Sequence, residues 1–211
     1  MSRATLIIVS APSGAGKTSL VNALQDNLDD LKVSISHTTR LPRPGEVDGT
    51  DYHFVSTTEF EEIKNSNGFL ESARVFDRYY GTARSTVDDS LSQGVDVILE
   101  IDWQGAQQVR NQYQDCISIF ILPPSLAILE QRLRQRAQDD DETIARRMQD
   151  ALSEISHYTE YDYLILNDDF EETLEKFKNI VTSTRQLTRR QKLQQQSILA
   201  NLLNHPKSVD K

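Results

Sequence analysis

Cysteine is almost absent from the 211 residues, because Cys116 stands alone. A single cysteine excludes an intrachain disulfide and a zinc site built from cysteines, and its place in the apolar run CISIFIL indicates a small buried hydrophobic residue. Long apolar runs are also missing. No stretch approaches the roughly 18 apolar residues of a membrane span, and the first residues lead into TLIIVSA without the features of a signal peptide. We therefore expect a cytoplasmic protein with no membrane partner.

Positive charge is also in short supply. The chain has 23 Lys and Arg residues against 32 Asp and Glu residues, which gives a formal net charge of −9. This balance opposes general binding to nucleic acid, because a phosphate backbone attracts clustered Lys and Arg. Arginine nevertheless accounts for 15 of the 23 basic residues, and its planar fork binds phosphate groups well. We therefore expect local phosphate sites for a small anionic substrate within an acidic protein.

No internal repeat, low-complexity block or linker divides the chain, and its length suits one good-sized hydrophobic core. Short runs rich in Ile, Leu and Val predict parallel strands buried on both faces: TLIIVSA, VDVILEID, CISIFIL and YLILND. A helical pattern follows each run: KTSLVNALQDNL, WQGAQQVRNQY, SLAILEQRLRQRA and DFEETLEKFKNIVTSTRQL. This alternation predicts an α/β fold, a doubly wound parallel sheet with right-handed crossovers.

Two segments differ from this pattern. Residues 33–84 contain strand-like stretches, VSISHTTR, DYHFV and FLESARVF, between turns rich in Pro and Gly, which predicts a small mixed or antiparallel insertion. Residues 126–157 include the charged run QDDDE followed by TIARRMQDALSEI, which is typical of an exposed, mobile flap. We therefore divide a single domain, 1–211, into a core of 1–32, 85–125 and 158–211, an insertion of 33–84 and a flap of 126–157.

A glycine-rich loop, APSGAGKT, lies between the first predicted strand and the first predicted helix. It follows the Walker A pattern, with Ala11 in place of the first glycine. Backbone N–H groups of such a loop can surround phosphate oxygens, the helix N-terminus attracts negative charge, and Lys17 adds a full positive charge. The hydroxyl of Thr18 is the candidate Mg²⁺ ligand. The predicted phosphate-loop residues are Ala11, Pro12, Ser13, Gly14, Ala15, Gly16, Lys17 and Thr18.

Further motifs narrow the choice among ATPases, GTPases and kinases, which a Walker A loop alone leaves open. In chain order they are APSGAGKTS, SHTTRLPRPGEVDGTDYHFV, FLESARVF, YYGTA and LEIDWQGA. Together they resemble the guanylate kinase family from about residue 5 to residue 169. The resemblance implies a P-loop α/β fold with a GMP-binding insertion and a helical lid. It also implies an enzyme that transfers the γ-phosphoryl group of Mg-ATP to GMP in purine nucleotide metabolism.

The insertion offers groups that suit both the phosphate and the base of GMP. Arg40 and Arg43 lie in a turn rich in Pro and Gly, and Tyr52 and Tyr80 add hydroxyls, so the four could hold a monoester phosphate by charge-assisted hydrogen bonds. Guanine has adjacent N1–H and N2–H₂ donors and an O6 acceptor, so a carboxylate should face the donors and a hydroxyl the acceptor. The guanine-binding residues implied by the resemblance are Ser36, Glu71, Thr82 and Asp102.

The flap resembles the lid of the family and carries further candidates. Arg136 and Arg147 fall at the positions of two lid arginines, whose implied role is to neutralise charge on the transferred phosphoryl group. Asn167, in LILND, is the predicted contact on the adenine side. Glu100, beside Asp102, either helps to order the Mg²⁺ shell or caps the strand. The predicted catalytic residues are Lys17, Arg40, Arg136 and Arg147.

Alternatives stay open for the residues and for the function. The alternative for each arginine is a solvated surface charge, and for Glu71 an exposed position on a strand. The chain could instead be a kinase for another phosphorylated sugar or nucleotide, or a non-catalytic module that binds a phosphopeptide in the former GMP pocket. The intact loop favours a kinase over such a module. The histidines have no carboxylate or cysteine partner at ligand spacing, and the sequence leaves a homo-oligomer open.

Overall fold

The computed structural model describes residues 4–75, 77–135 and 141–204. Its strands are β1 (Leu6–Ser10), β2 (Leu31–Val33), β3 (His37–Thr38), β4 (His53–Phe54), β5 (Phe69–Val75), β6 (Arg78–Ala83), β7 (Asp96–Glu100), β8 (Ile117–Leu122) and β9 (Tyr163–Leu166). Its helices are α1 (Lys17–Asn27), α2 (Thr57–Asn65), α3 (Arg84–Ser92), α4 (Trp103–Gln112), α5 (Leu126–Gln135), α6 (Asp141–Ser156), α7 (Phe170–Thr184), α8 (Thr188–Gln194) and α9 (Gln196–Leu203). None of the helices in these ranges combines the length and hydropathy that a membrane span needs.

Strand β1 lies at the centre of a five-stranded parallel sheet with the order β2-β7-β1-β8-β9. Every residue of β1 is buried, because helices cover both faces of the sheet. Ile7 and Val9 pack with residues of α1 and α7, whereas Leu6 and Ile8 pack with residues of α3 and α4. The run TLIIVSA is therefore continuously apolar because its strand is buried on both faces, as the sequence predicts. The doubly wound α/β fold is confirmed.

The run VSISHTTR does not form the single strand that its alternation predicts. Val33 ends β2, which pairs with β7 at the edge of the parallel sheet. His37 and Thr38 form β3, which belongs to a separate sheet. Between them the N–H of Ser34 still donates to the carbonyl oxygen of Ile98 at 2.9 Å. The alternating pattern therefore continues across the point where the chain passes from one sheet to the other. Alternation of polar and apolar residues does not reveal where the chain changes its partner strand.

The insertion forms a four-stranded sheet with the order β4-β3-β6-β5. The β3 and β4 strands are parallel, whereas β5 and β6 are antiparallel, so the predicted mixed sheet is confirmed. The helix α2 is not predicted. It begins with a reciprocal capping box in which Ser56 accepts from the N–H of Glu59 at 3.2 Å and Glu59 accepts from the N–H of Ser56 at 2.8 Å.

The charged segment after β8 contains a long helix that is partly buried. The helix α6 extends over 16 residues and buries Ile144 and Ala151. Ala151 packs with Leu129 and Leu133 of α5 in a small apolar cluster. The predicted helical lid is therefore confirmed, and α6 buries only these two of its 16 residues, because its apolar residues recur at helical spacing and need a partner. Residues 136–140, including Arg136, lie outside the described residues.

A buried ion-pair network connects α8 with the N-terminal edge of the sheet. The Asp96 side chain, 1% exposed, accepts a hydrogen bond from Nε of Arg185 at 2.9 Å and lies 3.0 Å from Nη2 of Arg190. It also accepts from the N–H of Thr5 at 2.7 Å. Because Arg190 is itself buried, removal of the Asp96 carboxylate would take away a nearby negative charge that offsets this cation in the interior.

We expect Asp96→Ala to lower the free energy of unfolding by about 3–5 kcal/mol, because the buried Arg190 loses a nearby negative charge. Urea unfolding followed by circular dichroism measures the change. Asp115→Ala is the control, since Asp115 is exposed and lies 3.9 Å from Arg189, and it should change stability by less than about 1 kcal/mol. Equal stability of the two variants would contradict the role given to Asp96.

Candidate active site

A cavity of about 270 Å³ lies at the carboxyl ends of β1 and β7. Ligands bind at this edge of open parallel sheets, because the loops that join strands to helices meet there. The cavity is bounded by the phosphate loop, the mixed sheet, the start of α4 and one side of α6. The predicted residues on its wall are Ala11, Pro12, Ser13, Gly14, Gly16, Lys17, Thr18, Ser36, Arg43, Tyr52, Glu71, Tyr80, Asp102 and Arg147.

The phosphate loop leads directly into α1, whose first residue is Lys17. The N–H of Ala15 donates to the carbonyl oxygen of Pro12 at 3.0 Å, which closes a tight turn. Gly16 has φ of +93°, and a Cβ at this position would lie 2.4 Å from Nδ2 of Asn167. Gly16 is therefore needed for both its backbone conformation and its close contact. The turn presents the free N–H groups of the first helical turn to the cavity, which suits an anion.

Asn167 and Arg132 stabilise the loop from behind. The side-chain amide of Asn167 donates to the carbonyl oxygen of Ala15 at 2.6 Å, and Nη1 of Arg132 donates to the same oxygen at 3.3 Å. Both residues also line a second cavity of about 400 Å³ on the outer side of the loop. The adenine-side role of Asn167 stays a prediction, whereas Arg132, which the sequence pattern indicates as a solvated helix charge, instead contacts the phosphate loop.

The hydroxyl of Thr18 donates to Oε2 of Glu100 at 3.0 Å on the wall of the first cavity. A hydroxyl and a carboxylate are oxygen ligands of the kind that Mg²⁺ prefers, and Mg²⁺ bound with a nucleotide needs few protein ligands. The described residues contain no group of three or more His, Cys, Asp or Glu side chains that could hold a metal ion by themselves. Thr18 and Glu100 therefore fit a magnesium ion that the nucleotide phosphates help to hold.

The four predicted phosphate-binding residues are not equivalent. Arg43, Tyr52 and Tyr80 lie on the cavity wall. Arg40 is not among the lining residues, because its fork donates to both carboxylate oxygens of Glu46 at 2.9 Å. This hydrogen bond with Glu46 raises the pKa of Arg40. Glu46 also accepts from the N–H of Arg43 at 2.6 Å, so one carboxylate connects the two arginines of the turn.

The part of the cavity next to β5 and the start of α4, which is the predicted base end, contains a buried carboxylate. Glu71 is only 4% exposed, and burial raises its pKa to about 7. Its Oε1 accepts a hydrogen bond of 2.6 Å from the hydroxyl of Thr82. Thr82 is fully buried and is absent from the cavity wall, so it positions Glu71 rather than faces a ligand. Ser36 lies on the wall, with its Oγ 3.5 Å from Oγ1 of Thr82.

Asp102 stands between the base end and the first turn of α4. Its Oδ1 accepts from the N–H of Gly105 at 2.9 Å, which makes it the N-cap of α4. Its Oδ2 accepts from Nε2 of Gln104 at 3.1 Å. A carboxylate oxygen can accept more than one hydrogen bond, so Asp102 retains capacity for a ligand donor while it caps the helix.

The side of the cavity formed by α6 carries a fourth carboxylate, Glu154, which is not predicted from the sequence. Glu154 lies on the wall with Arg147, and its Oε2 is buried with no hydrogen-bond partner among the described residues. Burial raises the pKa of Glu154 to about 7, although the nearby Lys17 opposes this shift. The spacing of seven residues from Arg147 places both side chains on one face of a helix, which is the signal that could have identified it.

Comparison with known proteins agrees with this geometry. The family model described as guanylate kinase matches residues 3–184. The chain belongs to the guanylate kinase family. The guanylate kinase of Nitrosococcus oceani is 57% identical over 199 residues, which cover 94% of this chain and 98% of the relative. That of Methylococcus capsulatus is 56% identical over 203 residues, which cover 96% of this chain and all of the relative.

A solved structure gives the same family. The crystal structure of guanylate kinase from Anaplasma phagocytophilum matches with a TM-score of 0.76 and 35% sequence identity. The match covers 90% of this chain and 90% of that chain. The parallel sheet, the mixed sheet and the helical segment between β8 and β9 are therefore those of a guanylate kinase fold.

We expect Asn167→Ala to raise the KM for ATP by about tenfold with a smaller change in the KM for the acceptor, because the variant loses one buried hydrogen bond to the phosphate loop. Initial-rate kinetics with each substrate varied in turn measure both constants. Asn27→Ala is the matched control, since the Asn27 amide donates to the carbonyl of Ala23 on the exposed side of α1. An unchanged KM for ATP in Asn167→Ala would show that the loop does not depend on this contact.

Proposed function

We propose that this chain transfers the γ-phosphoryl group of ATP, bound with Mg²⁺, to GMP and so produces ADP and GDP. One observation carries the proposal: the same cavity is lined by Lys17 of the phosphate loop and by a buried carboxylate, Glu71. The first group suits the phosphate of a donor, and the second suits the paired N–H donors of guanine. Membership of the guanylate kinase family supports this assignment.

The donor is held mainly by the backbone of the phosphate loop. N–H groups at the start of α1 donate hydrogen bonds to the phosphate oxygens, and Lys17 neutralises the charge of these oxygens. Arg132 and Asn167 line the outer cavity and orient the rest of the nucleotide. Thr18 and Glu100 would hold a magnesium ion together with the nucleotide, and this ion would supply charge neutralisation to the transferred group. Glu100 holds the Thr18 hydroxyl in position through their hydrogen bond of 3.0 Å.

The acceptor lies between the mixed sheet and the start of α4. Arg43, Tyr52 and Tyr80 bind its phosphate, and Glu46 orients Arg40 and Arg43 behind them. Glu71 and Asp102 accept from the guanine donors, while the hydroxyl of Ser36 faces O6. Adenine presents the inverse pattern of donor and acceptor at these positions, so it leaves the buried carboxylate without its hydrogen bonds.

Transfer requires alignment and charge neutralisation more than proton removal, because the acceptor phosphate is already an anion. Lys17 and Arg147 lie on the wall of the cavity in which the phosphoryl group moves, and they stabilise its charge. The predicted Arg136 would add to them, and it lies outside the described residues. No covalent intermediate on the protein is needed.

The division of the chain follows from these roles. We propose that residues 33–84 form the GMP-binding part, residues 126–157 the lid, and residues 1–32, 85–125 and 158–211 the core that holds ATP. We further propose that the enzyme acts in the cytoplasm, within purine nucleotide metabolism. A coupled assay of ADP release with GMP, AMP, CMP and UMP as acceptors tests the substrate. A preference for any acceptor other than GMP would contradict the proposal, and so would no turnover at all, as expected of a phosphopeptide-binding module.

We expect Lys17→Ala to lower kcat by at least about 100-fold while the fold is retained, because Lys17 neutralises charge that develops on the phosphoryl group. The coupled assay measures kcat, and circular dichroism checks the fold. Lys32→Ala is the matched control, since Lys32 is exposed on β2 and its loss should leave kcat unchanged. Turnover near that of the unmodified protein in Lys17→Ala would remove the kinase assignment.

The pKa of about 7 for Glu71 predicts a pH dependence. Only the ionised carboxylate accepts both guanine donors, so the KM for GMP should rise as the pH falls below about 7, approaching tenfold per pH unit. Glu71→Gln should weaken GMP use by about 1–3 kcal/mol and remove this dependence. Kinetics between pH 5.5 and 8.5 measure both effects.

Glu154 titrates in the same range and provides the control for this experiment. Glu154→Gln should retain the pH dependence of the KM for GMP, because Glu154 belongs to the lid rather than to the base end. If the pH dependence of the KM for GMP survives in Glu71→Gln and disappears in Glu154→Gln, it arises from Glu154, and the role given to Glu71 is wrong.

A further inference from the structure

Gly105, in the first turn of α4, lies directly against the carboxylate of Glu71. A Cβ at Gly105 would stand 2.6 Å from Oε2 and 3.2 Å from Cδ of Glu71. Real Cβ atoms essentially never approach another heavy atom within 3.0 Å. The position of the carboxylate in this structure therefore requires that residue 105 has no side chain.

The backbone does not need glycine at this position. Gly105 lies within α4, and it is not among the residues with positive φ. Its N–H donates to Oδ1 of Asp102 at 2.9 Å, a bond that alanine would make equally well. Glycine is moreover less favourable than alanine inside a helix. The explanation for glycine must therefore lie in what its missing side chain admits.

We propose that Gly105 is a specificity-determining positioning residue, whose missing side chain lets the carboxylate of Glu71 sit against α4 where it meets the guanine donors. Glu71 is held there from two sides, by the hydroxyl of Thr82 at 2.6 Å and by the surface of α4 at Gly105. The inference rests on the proposed function, because it assumes that Glu71 reads the base.

An alanine at this position would disturb the site more than the fold. The two closest atoms, Oε2 and Cδ of Glu71, belong to the end of a flexible side chain, whereas the Cβ of Ile101 at 3.3 Å would have to give by a few tenths of an ångström. Glu71 would therefore rotate away from α4, and its new position would weaken the bond from Thr82 or fill space in the cavity. The phosphate-binding residues Arg43 and Tyr80 are on the cavity wall and make no contact that this change removes.

The experiment compares Gly105→Ala with Gln107→Ala, a matched control at an exposed position of the same helix. We expect Gly105→Ala to raise the KM for GMP by about tenfold, to reduce the preference for GMP over AMP, and to change kcat at saturating GMP much less. Gln107→Ala should melt at or above the temperature of the unmodified protein, since alanine favours an exposed helix position, whereas Gly105→Ala should remain folded at the assay temperature with a somewhat lower melting temperature. Gln107→Ala should leave both kinetic constants unchanged.

A second background isolates the contact. Aspartate at position 71 withdraws the carboxylate by one methylene, so adding Gly105→Ala to Glu71→Asp should change the KM for GMP by less than about twofold. A purely structural effect of Gly105→Ala would instead appear equally in both backgrounds. If Gly105→Ala alone fails to fold, the double variant with Glu71→Asp decides the question. A folded double variant supports the contact between residue 105 and Glu71, and an unfolded one overturns the role given to Gly105.

The outcomes separate this inference from the proposed function. If Glu71→Gln leaves the preference for GMP over AMP unchanged, Glu71 does not read the base, and the inference falls with that assignment. If Glu71→Gln weakens GMP use while Gly105→Ala has no effect on the KM for GMP, only the role of Gly105 is overturned.

Discussion

The carbonyl oxygen of Ala15 must be kept away from the space where an anion binds, and the rest of the site depends on this constraint. A phosphate loop attracts negative charge only if its N–H groups face inward and its carbonyl groups face outward. Here two side chains from distant parts of the chain, Asn167 and Arg132, donate to this one oxygen. Asn167 is in turn fixed by the sheet, since its N–H donates to the carbonyl of Leu122 at 2.8 Å. The pairing of β8 with β9 therefore holds Asn167 in place, and Asn167 in turn fixes the direction of the Ala15 carbonyl oxygen.

Glu71 is buried and Glu154 is half-buried on the wall of the cavity, and desolvation of their carboxylates opposes folding. Glu71 and Glu154 both have a pKa raised to about 7 by burial, against an ordinary value of 4.5. The folded state thus binds more protons than the unfolded state between about pH 4.5 and 7, so the contribution of these groups to stability falls as pH rises through that range. Above pH 7 the full cost is present. For Glu71, this cost accompanies the proposed contact with guanine. A buried, ionised carboxylate discriminates between hydrogen-bond donors more strongly than a carboxylate that water solvates.

Much of the architecture could be predicted because it follows from burial. The parallel strands read as continuous apolar runs since helices cover both faces, and the phosphate loop is recognisable because glycine is required where Gly16 approaches Asn167. Short elements were harder to predict. The capping box at Ser56 and Glu59 marks the start of α2, but the surrounding strand-like pattern concealed it. The edge strand β2 has only three residues, too few to show a period.

The candidate site could be predicted less completely, because side-chain partners are not encoded by spacing. The sequence identified Arg40 as a phosphate ligand, yet it could not show that Glu46 occupies its fork. It identified Thr82 and Glu71 separately, yet only the structure shows that they bond to each other. Gly105 stands in a helical pattern, where a glycine reads as a slight weakness. Its role becomes visible only when the carboxylate from β5 is placed against it.

The chain contains one tryptophan, and its indole ring is stacked on His157 with a centroid distance of 3.8 Å and an interplanar angle of 7°. Trp103 is the first residue of α4, and His157 follows the last residue of α6. The stack therefore joins the end of the lid helix to the helix that Asp102 caps. Because the chain has one tryptophan beside seven tyrosines, emission excited selectively from tryptophan comes from this junction and reports on the contact between α4 and the end of α6.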